Sequence, residues 1–553
     1  MKKAIKYIFI LGVFLGFQFY LGMPTFQWGF FGLPLMLLFV TGIIYVLERT
    51  AQLKKPKSAR KPLIVPGILL TLAIIYAVVI PLSTSWSLFR AADYRNMIGQ
   101  VEIGNSFAKD VAPISIDKIR VVDQSLAYRL GDKVLGTQPS LGSQAHLGVF
   151  RIQKVNGEFV WVAPLIHSGF FKWWSNGEGT PGYVVVPATG SGDVRLVQEI
   201  DGKPIHIKYQ PGGFGFDYLK RHIYFNGYMT TGYTDYTFEI DDKGTPYWVV
   251  SLYDKNVGFA GNNVYGIIVI HAMTGEIQEY SIADAPLWID RIQPKSFVQR
   301  QLDDWGEFVH GWWNPSNEEK LTTTPGMSLV YDQNDKSYWY TGLTSVGSDE
   351  GTVGFVLVDT RTKKTTWYKQ IGATEQAAMI SAMGKVQEKG YQASFPLTYN
   401  INGVPTYVMP LKDQAGLIKM YSMVSVQDYS VVAVGNTLQE SIRAYKNVLN
   451  STANNIQSEN TSKRYSLRTI ISRVASDVRN GNTFYYITLK DYEHKLFIGS
   501  STVSTELPIS QVGDSVLLTY DEGLTPLVDI VVFDNLQINP IKTENAEIES
   551  QKP

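Results

Sequence analysis

The sequence predicts an α+β protein in three parts: three N-terminal transmembrane helices, repeated helix plus antiparallel-sheet modules, and a small C-terminal β-barrel. Three observations carry this expectation. Three apolar runs fill the first eighty-odd residues, one strand-turn-strand pattern recurs through the middle, and five short alternating segments follow a polar linker.

Residues 7–23, 28–47 and 63–82 are each close to the ~20 apolar residues a helix needs to cross a bilayer. Lys2, Lys3 and Lys6 precede the first run, and Lys54, Lys55, Lys57, Arg60 and Lys61 lie between the second and third, while the link 24–27 is uncharged. An excess of Lys and Arg marks the cytoplasmic side. The expected topology is therefore a multi-pass cell-membrane protein with a cytoplasmic N-terminus and everything after about Ser83 extracytoplasmic. A cleaved signal peptide fits the first run less well. Gly22-Met23-Pro24-Thr25-Phe26 lacks a small-x-small cleavage pattern, and a second spanning run follows at once. Residues 1–83 are thus read as a membrane domain, with the lipid bilayer as one partner.

Composition limits what the outer part can be. Of 553 residues, 50 are Lys or Arg and 50 are Asp or Glu, so no global charge recruits nucleic acid, and none is expected as a partner. The absence of cysteine removes disulfides, thiolate metal sites and a cysteine nucleophile. An exported body without cysteine fits a bacterial cell envelope better than a eukaryotic secretory route.

Residues 84–446 carry the repeat. Its best copy joins 246–252 to 266–277; the others join 337–343 to 354–364, 159–165 to 182–190, and 406–411 to 429–435. Each alternates β-branched or aromatic residues and follows a tight-turn signal: Asn156-Gly157, Asp242-Lys243-Gly244, Asn334-Asp335-Lys336 and Asn402-Gly403. Helices are expected over 287–309, interrupted at Pro294, and over 374–389, where Ala377, Ile380, Met383 and Val386 recur at three-residue spacing.

The corner Ile270-His271-Ala272-Met273-Thr274-Gly275-Glu276-Ile277 resembles the closing strands of PepSY-type domains, which commonly read Val-Asp-Ala-x-Thr-Gly-Glu-Val. Asp359-Thr360-Arg361-Thr362 resembles the same corner. His271 replaces the usual Asp in one copy, and Lys363 the usual Gly in the other. The resemblance extends loosely over 115–449. It implies modules that bind, inhibit or chaperone in the bacterial envelope, and it brings no reaction and no binding residue with it.

Residues 447–463, rich in Asn, Ser and Thr, read as a linker. Strands are expected over 465–475, 483–490, 495–500, 515–520 and 527–533, enough to close an OB-like barrel over 464–540. Residues 541–553 read as a disordered tail.

Catalytic signatures are sparse. The chain shows no nucleophile elbow, phosphate loop, dinucleotide fingerprint or paired-histidine zinc motif, so no cofactor and no metal are expected. The candidates for ligand or partner contact are two groups. Asp304, Glu307 and His310, with Asp303, sit together on an expected helix, where i, i+3 spacing puts Asp304 and Glu307 on one face; a solvated helix face is the plainer explanation of them. Trp173, Trp174, Trp312 and Trp313 either pack between repeats or form exposed platforms for a glycan or the bilayer surface. Pro211-Gly212-Gly213-Phe214-Gly215-Phe216 reads as a flexible turn. The expected function is binding or scaffolding by a membrane-anchored envelope protein, with membrane or cell-wall proteins as partners. The alternatives are an envelope hydrolase using the acidic/His cluster, or a subunit of a secretion or conjugation machine.

Overall fold

Four antiparallel sheets fill the middle of the chain, and each contains one copy of the repeated pattern. In the computed structural model, which describes residues 9, 12–105, 107, 111, 118–190, 192–332, 336–347, 351–401, 403–451, 464–479, 482–501, 503–521 and 527–538, the first sheet is built on Glu158–His167 and Tyr183–Pro187. The second is the meander Gly232–Ile240, Pro246–Val257, Ala260–His271, Ile277–Ser281. The third is built on Ser337–Ser345 and Gly354–Asp359, and the fourth on Val404–Lys412 and Ile418–Ser425. Val101–Ile103 adds to the third sheet in parallel along Thr365–Tyr368. The Asn156-Gly157 signal is a tight turn with positive φ at both residues, 50° and 84°, the geometry that matches the twist of a hairpin.

The sheets form a cycle, packed face to face at three of its four junctions. Val160, Val162 and Tyr183 of the first meet Phe238, Trp248 and Val250 of the second. On its other face, Leu147, Leu165 and Val184 meet Tyr399, Val408 and Met423 of the fourth. The fourth packs in turn on Tyr340, Phe355 and Leu357 of the third. Between the second and third lies the segment 285–307: Ile289 and Ile292 cover Val249 and Ile267, while Val298 and Leu302 cover Trp339 and Val356. The cycle resembles a four-bladed propeller in which a helical segment fills one of the four junctions. It explains why central strands such as Val404–Lys412 are buried throughout, because both faces of each sheet are covered.

The expected helices are shorter than their sequence patterns. The 287–309 helix is confined to Lys295–Glu307, because Pro294 stands at its N-cap and disfavours helical backbone in the residue before it. The 374–389 helix is Glu375–Gly384, capped by the Thr374 hydroxyl accepting from the Ala377 amide at 3.1 Å, with a separate 3-10 turn at Gln387–Lys389. The expected linker starts late, since the helix Leu438–Ser451 runs into it. The rest of 447–463 and the tail 541–553 lie outside the described residues.

Two helices, Gly32–Leu53 and Ile64–Ser85, are long and apolar enough to cross a membrane. Three were expected. Within the first run, Gly12–Gly22 is an apolar helix about 16 Å long at 1.5 Å per residue, short of a ~30 Å hydrocarbon core; residues 7, 8, 10 and 11 of that run lie outside the described residues. Phe39, Val46, Leu72 and Leu82 are all exposed on the two long helices, a pattern that suits lipid rather than a soluble core.

The ring is docked on the ends of these helices. The tip of the second sheet's long hairpin places Phe259 against Trp28, Phe31 and Tyr76, with ring centroids 5.2–6.5 Å apart, and its amide donates to the Ser85 hydroxyl at 2.7 Å. The loop between the first two apolar segments is held as well: Phe26 N–H donates to Met229 C=O at 2.8 Å, and Gln27 to Asp254 at 2.7 Å. Gly29, at φ 85°, lets that loop approach the hairpin so closely that a Cβ would sit 2.6 Å from the Gly258 carbonyl oxygen.

At the other end of the chain, Arg464–Arg479, Asn482–Leu489, Leu496–Ser500, Ser515–Asp521 and Leu527–Asn535 form the closed five-stranded barrel. Going round it, the strands run first, second, third, fifth, fourth, and the third and fifth are parallel. Arg443, from the helix that ends the ring, donates to Asp529 of the barrel at 2.9 Å.

Candidate functional site

The leading strands of the four sheets converge at the ring axis, and polar side chains gather there. Arg151–Val155 touches Gly232–Ile240, Ser328–Tyr331 touches Leu397–Ile401, and the Phe159 and Tyr331 rings meet across the centre at 4.6 Å. Alternation along the second sheet's leading strand turns Thr237 and Glu239 to one side, both buried. Glu239 pairs with Arg291 at 3.3 Å and also accepts from the Thr237 hydroxyl at 3.1 Å. Asp290, next to Arg291, accepts from the Tyr331 hydroxyl at 2.9 Å and the Lys154 amide at 2.8 Å. Gln153 holds both the N–H and the C=O of Ile240, at 3.1 and 3.0 Å. The Arg120 guanidinium donates to the Leu329 carbonyl and lies over the Tyr331 ring, while its amide donates to the Tyr399 hydroxyl.

Burial sets the charge states here. It lifts the Glu239 carboxyl to about 7, against the opposing pull of Arg291. It also raises Asp290, in spite of the two donors on that carboxylate. Tyr331 is raised by burial and by the Asp290 charge beside it.

A cavity of about 410 Å³ opens between the first and second sheets beside this network. Tyr128, Phe150, Tyr236 and Trp248 form apolar walls, and His146 and Arg151 supply polar groups. Arg151 stands 4.0 Å from Asp235, which adopts a left-handed backbone at φ 56°. Burial, with Arg291 nearby, lowers the Arg151 pKa, yet a guanidinium stays charged at any physiological pH. Aromatic walls with one half-buried cation suit an amphiphilic ligand bearing an anionic group.

The acidic/His candidates are given separate partners. Asp303 caps the strand Leu321–Thr323, accepting from the Thr323 amide and from the Thr322 and Thr323 hydroxyls. Asp304 is buried, pairs with Arg300 at 3.0 Å and is lifted by burial to about 6. Glu307 is exposed, and His310 pairs with Glu319 at 3.1 Å. The tryptophan candidates divide differently. Trp173 is half-buried and donates to Asp217 at 3.0 Å, whereas Trp174 is 72% and Trp313 74% exposed; Trp312 meets Trp313 at a tilt, with ring centroids 5.6 Å apart. Among the described residues no group of three or more His, Asp or Glu side chains is placed to hold a metal ion.

Sequence reasoning missed the axis, because Gln153, Glu239, Asp290 and Tyr331 are far apart in the chain. The signal was a charge set among apolar neighbours: Phe238-Glu239-Ile240 on a strand, and Ile289-Asp290-Arg291-Ile292 in a loop.

No protein-family model and no curated protein matches the sequence. Among solved structures, similarity is found to an exo-β-1,3-galactanase from Phanerochaete chrysosporium, at 10% identity over 70% of this chain and 63% of that one, with a TM-score of 0.18. A Trypanosoma rangeli sialidase gives 10% identity over 70% and 54%, with a TM-score of 0.17. An exo-1,5-α-L-arabinanase from a bovine ruminal metagenomic library gives 8% over 68% and 94%, with a TM-score of 0.16. The chain spans less than two thirds of the length of the galactanase and of the sialidase, and at such TM-scores no residue role passes from these proteins to this chain.

Proposed function

We propose that this chain is a membrane-anchored protein of the bacterial cell envelope that works by binding or scaffolding through an extracytoplasmic ring. The observation that carries the reading is the docking of Phe259 among Trp28, Phe31 and Tyr76, which fixes the ring to the ends of apolar helices opposite the basic loop 54–61. We take the whole first apolar run, residues 7–23, as a third span on its sequence alone. Three spans exceed what tethering requires, so partners within the membrane are expected beside cell-wall partners. The PepSY-like corner at 267–277 is in keeping with a binding role. The cavity beside Arg151 offers a seat for a small amphiphilic anion. A hydrolase centred on Asp304 and His310 draws less support, since each already has its own ion-pair partner.

Crosslinking in native membranes before detergent extraction tests this. A second membrane or wall protein should co-purify with the full chain in fixed stoichiometry, and Asp304→Ala with His310→Ala should leave that yield unchanged. A chain that is recovered alone as a monomer, or a partner lost on those two substitutions, overturns the reading.

A further inference from the structure

One surface of the ring is strongly aromatic, exposed, and continuous with the end of the first apolar helix. Tyr20, in the last turn of that helix, meets Phe216 at 6.3 Å, and Phe216 meets Phe225 at 5.7 Å. Across Gly215, Phe214 meets Phe170 at 5.2 Å, and Phe170 in turn contacts Phe171 and Trp174 on the short helix Phe170–Ser175. Phe216 is 60% exposed, Trp174 72% and Phe171 83%. A soluble domain hides such rings, and an exposed cluster of this kind marks an interaction surface.

The patch is held rigidly and at a defined level. Arg221 lies 4.0 Å over the Tyr20 ring, donates to the Tyr20 carbonyl at 3.0 Å, and reaches the Gly215 carbonyl at 2.6 Å. Tyr224 donates to the Pro24 carbonyl at 2.9 Å. Trp173 secures the other half through Asp217. The glycine-rich segment 211–216, a flexible turn by its composition, is thus pinned between the helix end and the aromatic helix. Phe216 therefore stands beside the last turn of an apolar helix.

Resting on the membrane-anchored reading, we propose that Phe171, Trp174, Phe214 and Phe216 insert into the interfacial zone of the outer leaflet, so that the ring lies against the bilayer. The Trp174 indole suits that zone because its apolar ring and its N–H are both satisfied there, and the phenylalanines beside it add apolar surface that the acyl boundary takes up. The Trp312–Trp313 pair contrasts with this patch: no ring contact joins it to the helix end, among the described residues.

The cysteine-free chain makes a direct test simple. Single variants Phe171→Cys, Trp174→Cys, Phe39→Cys and Glu493→Cys of the full chain, labelled with an environment-sensitive fluorophore, are placed in phosphatidylcholine–phosphatidylglycerol vesicles with or without doxyl-labelled lipid. Positions 171 and 174 should lose emission to doxyl lipid to an extent comparable with position 39 and several-fold more than position 493. Quenching of 171 and 174 by aqueous iodide alone, with position 39 quenched by lipid, overturns the proposal and leaves the anchor intact. A position 39 that escapes lipid quenching overturns the anchor itself, and the patch assignment with it.

Discussion

At the axis of the ring, Glu239 and Arg291 form an ion pair with both side chains buried, and Asp290 ties Tyr331 to the backbone of Lys154. The centre of the C-terminal barrel is filled instead by apolar chains such as Ile487, Phe497 and Leu518. The contrast follows from how each closes. Backbone hydrogen bonds run from strand to strand all the way round the barrel, so its interior has only to exclude water. In the ring the ladders stop at the edge of each sheet, and among the described residues no strand ladder joins one sheet to the next at the axis. Side chains supply the cross-links there: Gln153 to Ile240, Asp290 to Lys154, and Arg120 to Leu329.

Breaking the ring's ion pair should have the largest effect. Arg291→Ala leaves the Glu239 carboxylate buried without its partner and should cost about 3–5 kcal/mol, measured by denaturant unfolding of the full chain. Replacing both, Glu239→Leu with Arg291→Met, should recover most of that loss. If the double variant is as unstable as the single one, the pair is not a substitutable cross-link. In the barrel, Leu518→Ala should cost about 3 kcal/mol through the cavity it leaves, and should shift the barrel's own transition while the ring's stays put.

The third expectation concerns pH. Glu239 binds its proton more tightly in the folded chain, at about 7, than in the unfolded chain, near 4.5. Between those values the folded state holds more protons, so stability falls as pH rises through that window, by on the order of 3 kcal/mol. Asp290 is raised as well and adds in the same direction. Glu239→Gln should flatten the slope, and Leu518→Ala should leave it in place. A wild-type chain as stable at pH 8 as at pH 5 contradicts the assignment. The smallest effect belongs to Tyr331→Phe, which removes one donor from Asp290 and should cost about 1–2 kcal/mol in thermal unfolding.

The same contrast explains what could be read in advance. Most barrel strands were legible to within two residues, as with 483–490 expected against Asn482–Leu489 observed and 515–520 against Ser515–Asp521, while the first, expected over 465–475, runs Arg464–Arg479. Each is an alternating run beside its own turn, so the information is local. Three of the four copies of the ring pattern were legible for the same reason; in the fourth, 406–411 pairs with Ile418–Ser425, and 429–435 lies one strand further out. Their closure into a cycle was not legible, since it depends on contacts such as Tyr183 with Phe238, and on Leu165 and Met423 sharing one core, between faces that both look apolar. The candidate site suffered most. Asp303, Asp304, Glu307 and His310 stand out because they are neighbours in sequence, whereas Arg151, Glu239 and Asp290 become neighbours only once three segments meet.

The orientation of the ring across the membrane is most directly tested by single-cysteine labelling with a membrane-impermeant maleimide, at Ser58→Cys in the basic loop and at Lys243→Cys in the exposed turn of the second sheet. In intact spheroplasts, Lys243→Cys should react and Ser58→Cys should react only after permeabilisation. Labelling of Ser58→Cys in intact spheroplasts, or protection of Lys243→Cys, contradicts an extracytoplasmic ring.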